Sequence, residues 1–237
     1  MNIMRRTGII LCLFNILTAC ALGQNASAQG PAQIKRIVIA ASTVFDGKGQ
    51  VWRNTRLVIE GSKIVRIDPK AGPVDYDLRG LTVLPGWIDA HVHITWSFDR
   101  NGKNAGGGGT TQEAAYSAAS NAWVTLMAGF TTVQSVGPPL DIPLRDAVAK
   151  GTLPGPRILT SAEPLIGRGD ETGTPEEIHE YVRKQKQAGA DVIKIFAAGG
   201  MRQGTKTLSQ EQLNAACDEA RKQGLRTLVH AYRDAVR

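Results

Sequence analysis

The sequence predicts an α/β chain in which a short all-β module precedes about five βα units. Three observations carry this. Apolar β-rich runs centre near Ile88, Val133, Ile158, Ile193 and Leu228, and the last four are spaced by 25, 35 and 35 residues. Such spacing suits a strand, its crossover helix and two turns. Helix-start signals fall between the runs, and no helical period occurs before residue 84.

The chain begins with an export signal. Met1–Arg6 is a short basic start, and Gly8–Ala19 is an apolar core too short for a comfortable membrane span. Ala26-Ser27-Ala28 then forms an A-x-A cleavage site, so residues 1–28 read as a signal peptide. Leu17-Thr18-Ala19-Cys20 is the competing exit, since it resembles a bacterial lipobox. Lipidation of Cys20 would anchor the chain to a membrane, and cleavage at Ala28 would release it to the periplasm or outside. Cys12 and Cys20 both lie in this segment, which leaves Cys217 alone and excludes an internal disulfide. Cys217 shares a helical stripe with Leu213, Ala216 and Ala220, a packing position.

The composition is that of a globular protein. Hydrophobic residues make up 42%, charged residues 21%, and there are 26 glycines in 237 residues. Wholesale disorder and collagen-like repeats are excluded. The only long apolar stretch is N-terminal, which excludes a polytopic membrane protein. The net charge of +7 includes Arg5 and Arg6, and the other basic residues are scattered with no run of five. That distribution is a solubility feature and argues against a nucleic-acid partner.

Residues 34–84 read as short strands. Arg36–Ala40 is a β-rich run, and Val51–Ile59 and Ile64–Ile67 flank Gly61-Ser62-Lys63, a hairpin signal. From residue 85 onward strands and helices alternate. Thr110-x-x-Glu113, Thr174-Pro175-x-Glu177 and Ser209-x-x-Gln212 are capping boxes. They open helices that end near Met127, before the strand at Ala190, and near Gly224. Repeated βα units permit an open doubly wound sheet or a (β/α)8 barrel. The open sheet usually carries G-x-G-x-x-G after its first strand; here that strand ends in His91-Val92-His93. The Gly106–Gly109 run lacks a following Gly-Lys-Ser/Thr, so it reads as a βα loop beside the mouth of the fold.

Four histidines are present. Three end predicted strands, and the fourth, His179, lies on a helix face beside Ile178 and Val182. Residues i and i+2 of a strand point the same way, so His91 and His93 project together and suit one metal ion; a pair of satisfied core histidines is the alternative. Lys194 stands at the centre of the strand Ala190–Phe196. Burial would favour its neutral amine, which can take up CO2 as a carbamate whose two oxygens bridge two metals. The alternative is a lysine that snorkels out or pairs with an acid. His230 ends the strand Thr227–Arg233, as ligand or as core residue. Tyr232 shares its face and is a candidate for substrate binding, with Arg233 the weaker one; packing behind the site is the alternative for both.

Together these segments resemble the metal-dependent amidohydrolase superfamily. Asp77–His93 is similar to its entry into barrel strand one, Gly129–Val133 to strand two, Ala190–Gly200 to the carboxylated-lysine strand of the imidazolonepropionase-like and Xaa-Pro dipeptidase-like branch, and His230-Ala231-Tyr232 to strand five. The resemblance implies a (β/α)8 TIM barrel with a small β-sandwich, of which residues 34–84 form the N-terminal part and residues 85–237 the first five βα units. It implies that His91 and His93 bind one metal, His230 a second, and carbamylated Lys194 bridges them. Zinc suits these ligands, and manganese, iron or nickel would also fit. The implied activity is hydrolysis of a C–N bond in a dipeptide or cyclic amide by a metal-bridged hydroxide. The family's sixth-strand histidine and eighth-strand aspartate, the latter its proton shuttle, have no counterpart in these 237 residues. The expectation is therefore a fragment of a protein of about 400 residues, inactive alone. Two rivals are a truncated barrel that serves as a binding or assembly piece and an envelope solute-binding lipoprotein; association into a homo-oligomer is a separate expectation for the protein.

Overall fold

The computed structural model describes residues 35–104, 110–199 and 204–236. The expected export signal and the Gly106–Gly109 run lie outside these residues. The chain divides into two compact units, one built from the residues up to Val44 with Val51–Val83, the other from Phe45–Gln50 with Leu84–Arg237.

The first unit is one four-stranded sheet of order β3-β2-β1-β4. Its strands are β1 (Arg36–Phe45), β2 (Val51–Glu60), β3 (Lys63–Ile67) and β4 (Tyr76–Val83). The hairpin signal at Gly61 marks the antiparallel β2–β3 pair, and β1 pairs with β4 in parallel. Leu57 and Val58 are neighbours in β2 and point to opposite faces. Each joins a different apolar cluster, Leu57 with Ala41 and Val44, Val58 with Val38 and Ala71. The sheet is thus apolar on both faces. β4 carries no alternation of its own and is largely exposed.

The second unit holds the βα repeat. Its elements are β5 (Trp87–Val92), α1 (Thr111–Met127), β6 (Phe130–Ser135), α2 (Asp141–Ala149), β7 (Arg157–Thr160), β8 (Leu165–Ile166), α3 (Pro175–Gln187), β9 (Val192–Phe196), α4 (Gln210–Lys222) and β10 (Arg226–His230). Each of the five apolar runs lies in a strand. Both capping-box bonds form at Thr110, Thr174 and Ser209. α2 was not foreseen. Its N-cap is Leu140, which makes no side-chain cap, and Pro143 sits in its first turn, where a missing N–H costs nothing.

All strand pairs in this unit are parallel, in two sheets of order β5-β6-β7 and β8-β9-β10. β7 and β8 are two pieces of one interrupted strand. β7 pairs with β6, β8 pairs with β9, and Ala162 (φ 53°) and Pro164 break the ladder between them. Asp191 N–H donates to the Thr160 carbonyl at 2.7 Å and ties the two sheets at the break. The combined sheet curls: Arg226 at the start of β10 donates to the Gln134 side chain of β6 at 3.3 Å, across the intervening strands.

The helices cover one side of this curl. Ile193 and Ile195 of β9 pack with Ile178 and Val182 of α3 and Ala216 and Ala220 of α4. Val133 and Ile158 pack with Ala118 and Ala122 of α1 and Leu144 of α2. Strand alternation therefore turns Val192, Lys194 and Phe196 to the other, concave side. The edge strand β5 leaves Trp87 56% and Ile88 72% exposed.

Candidate functional site

The strand ends carry the polar groups. His91 lies in β5, and His93 immediately follows it. Their rings stand 5.7 Å apart between centroids, at 58°. His91 is exposed, and its backbone N–H donates to Asp89 Oδ1 at 3.0 Å. His93 is half-buried and tightly held. Its ring stacks on Trp96 at 3.9 Å and 12°, and Nδ1 lies 3.2 Å from the Gly137 carbonyl. A carbonyl only accepts, so Nδ1 carries the proton and Nε2 presents its lone pair. Asn121 of α1 fixes this turn by donating to the Ile94 carbonyl at 2.9 Å and the Trp96 carbonyl at 2.7 Å.

Lys194 is 1% exposed. Its Nζ lies 4.9 Å from the centre of the Phe196 ring, and no carboxylate among the described residues pairs with it. Burial pushes its pKa below the ordinary lysine value. His230 closes β10, with its ring 4.9 Å from Phe196 and 4.8 Å from Tyr232, the latter edge-on. The three imidazoles respond alike. Burial is the largest cause holding His91, His93 and His230 below the ordinary histidine pKa, and the Lys194 charge pushes each further down. Lys194 is thus the shared electrostatic neighbour of all three.

Three other residues that the sequence singles out have these surroundings. Arg233 is exposed in a 3-10 turn and lies against Gly204, where a Cβ would come within 2.8 Å of its side chain. His179 pairs with Glu176 on α3 at 3.4 Å. Cys217 is half-buried against the α3–α4 core.

The sequence reading missed Asp141, which is fully buried at the start of α2. Burial raises its pKa, opposed by hydrogen bonds from Ser135, Thr95, Thr160 and the Gly137 backbone. No local signal marks it, because its partners come from three different strand ends.

Among the described residues no three His, Cys, Asp or Glu side chains close into a metal-sized cluster. The donor chemistry nevertheless fits divalent cations. Three imidazoles are biased to the neutral, ligating form, and the buried amine that influences each of them has no counter-ion among the described residues.

The chain is similar to known proteins in sequence and in fold. A profile of the amidohydrolase family matches residues 82–235. An imidazolonepropionase from Micrococcus luteus is 33% identical over 105 residues, 38% of this chain and 26% of that protein. An ochratoxinase from Aspergillus niger is 24% identical over 84% of this chain and 51% of its own length. The crystal structure of a Xaa-Pro dipeptidase with methionine in its active site superposes with a TM-score of 0.73 at 30% identity, covering 83% of this chain and 57% of that one. The chain therefore spans about half the length of the ochratoxinase and of the dipeptidase, and a smaller share of the imidazolonepropionase.

Proposed function

The chain belongs to the amidohydrolase family, and from that premise we propose that the whole protein hydrolyses a carbon–nitrogen bond in a small dipeptide or cyclic amide. The Xaa-Pro dipeptidase and imidazolonepropionase relatives support that substrate range. Two divalent cations, when bound, would supply Lewis acidity to the carbonyl and lower the pKa of the attacking water.

The chain's own residues would do the rest. His91 and His93 offer two lone pairs from one strand end, and His230 offers a third from β10. Lys194 attacks CO2 as the neutral amine, forms an N–C bond and releases one proton. The resulting carbamate would be an anion with two oxygens available as ligands beside the imidazoles. Tyr232, edge-on to His230, would contact substrate beside that ligand, and exposed Arg233 would serve as the weaker contact. The exposed apolar side chains of β5 support a barrel completed by further strands, with the first unit as part of a β-sandwich. Export by the N-terminal signal, with Cys20 lipidation as the alternative, completes the reading; the mass of the mature N-terminus separates the two.

One observation carries the proposal: a lysine 1% exposed, without an acidic partner among the described residues, whose charge lowers the pKa of three strand-end imidazoles. The test is elemental analysis of the full-length protein, wild type beside Lys194→Ala, with amide and dipeptide turnover followed in parallel. The expected result is a substoichiometric metal content and lost turnover in the variant. Equal metal content in both removes the carbamate.

A further inference from the structure

The geometry points to Asp141 as a positioning residue that sets the His93 tautomer and ring orientation through the Gly137 carbonyl. The relevance to metal binding rests on the hydrolase reading above; the orientation itself does not.

Asp141 gathers the ends of three strands. Its Oδ1 accepts from the Thr95 hydroxyl at 2.9 Å, two residues beyond His93. Its Oδ2 accepts from the Thr160 hydroxyl at 3.2 Å, at the end of β7, and from the Gly137 N–H at 3.3 Å, beyond β6. Ser135 also hydrogen-bonds to it, while its hydroxyl accepts from the Ile94 N–H at 3.1 Å. Every group around the carboxylate is a donor, so its acceptor capacity is filled within the fold and none is left for a ligand.

The link to His93 is one residue long. Asp141 holds the N–H of Gly137, and the carbonyl of the same residue receives Nδ1–H of His93. Gly137 has little room to shift. Its φ is 99°, and a Cβ there would fall 3.0 Å from Pro164 and 3.1 Å from the Ala162 carbonyl. The residue is therefore wedged between the interrupted strand and the carboxylate, with its carbonyl aimed at the imidazole. Outer partners of this kind fix which ring nitrogen is free, and their loss lowers metal affinity by about 10–100-fold. The plainer alternative is an aspartate that only favours the N-terminus of α2 through the helix dipole.

The experiment compares Asp141→Asn, Thr95→Val and Leu144→Ala with wild type in the full-length protein. Leu144→Ala weakens the packing of α2 and touches none of these hydrogen bonds. Histidine tautomers are read by long-range 15N–1H NMR on metal-free, 15N-histidine-labelled protein, above the imidazole titration range. Zinc affinity is read by competition with a chromophoric chelator. Expected are a mixed His93 tautomer and about 10–100-fold weaker zinc binding in Asp141→Asn. Thr95→Val should give a smaller change of the same sign, and Leu144→Ala lower stability with wild-type tautomer and affinity. If Asp141→Asn does not fold, Thr95→Val against Leu144→Ala carries the comparison. A His93 that stays wholly Nδ1-protonated in Asp141→Asn, or a shift of equal size in Leu144→Ala, overturns the role. A wild type that binds no zinc overturns the hydrolase reading, and the tautomer measurement still decides the role of Asp141.

Discussion

The ends of β5 and β10 hold their histidines by different means. His93 is clamped by a stacked indole, a hydrogen bond to Gly137 and a turn fixed by Asn121, with Asp141 beneath. His230 rests against the edges and faces of Phe196 and Tyr232 and has a backbone hydrogen bond with Gly199. The surrounding cores differ in the same sense. Around β5–β7 a polar knot sits beside a smaller apolar cluster, whereas β8–β10 lean on the larger apolar cluster of α3 and α4. Orientation at one strand end is directional, through hydrogen bonds; at the other it follows from shape.

The largest effect that would sharpen this contrast is a cavity in the packed half. Ile195→Ala removes a fully buried side chain from the α3–α4 cluster and should cost about 2–5 kcal/mol of stability in urea denaturation. It should leave the His93 tautomer unchanged. A coupled change at His93 would show that the two halves share one support.

A middle-sized effect is expected in the hydrogen-bonded half. Asn121→Ala frees two carbonyls, one of them in a part-buried turn, and should cost about 1–3 kcal/mol. Near-UV circular dichroism should report the loosened Trp96 stack. An unaltered Trp96 signal would mean that stacking alone holds the turn, and the contrast between the strand ends would fail.

The smallest effect is a pH dependence common to both ends. Folding lowers the pKa of His91, His93 and His230 from 6.5 and that of Lys194 from 10.5, burial being the main cause for each. Between the folded and unfolded values the native, metal-free chain binds fewer protons than the unfolded one. The resulting penalty is full below the folded pKa and is relieved as pH rises through the unfolded value. Stability should therefore climb toward pH 6.5 and again toward 10.5, with the second rise missing in Lys194→Ala. Urea midpoints measured across pH check both rises, and a flat alkaline limb would mean that Lys194 keeps its proton in the fold.

Much of the site was legible because its signals are short-range. His91 and His93 are two residues apart in a strand, Lys194 interrupts an apolar run, and the caps at Thr110, Thr174 and Ser209 are four-residue motifs. α2 escaped because Leu140 supplies no cap, and β8 because two residues make no period. Trp96 escaped because its partner is chosen by a turn and not by a repeat.

The letters alone were enough for the five apolar strands and three of the four helices of the second unit, the hairpin at Gly61 and the residue types offered at the strand ends. Each depends on torsional preference, alternation or a cap spanning a few positions. Tertiary structure decided which nitrogen of His93 is free, that Lys194 lacks a nearby acid among the described residues, and that Asp141 joins Thr95, Gly137 and Thr160. Apart from the local Gly137–Asp141 contact, those hydrogen bonds join groups 19 to 46 positions apart, which only the curled sheet brings within reach.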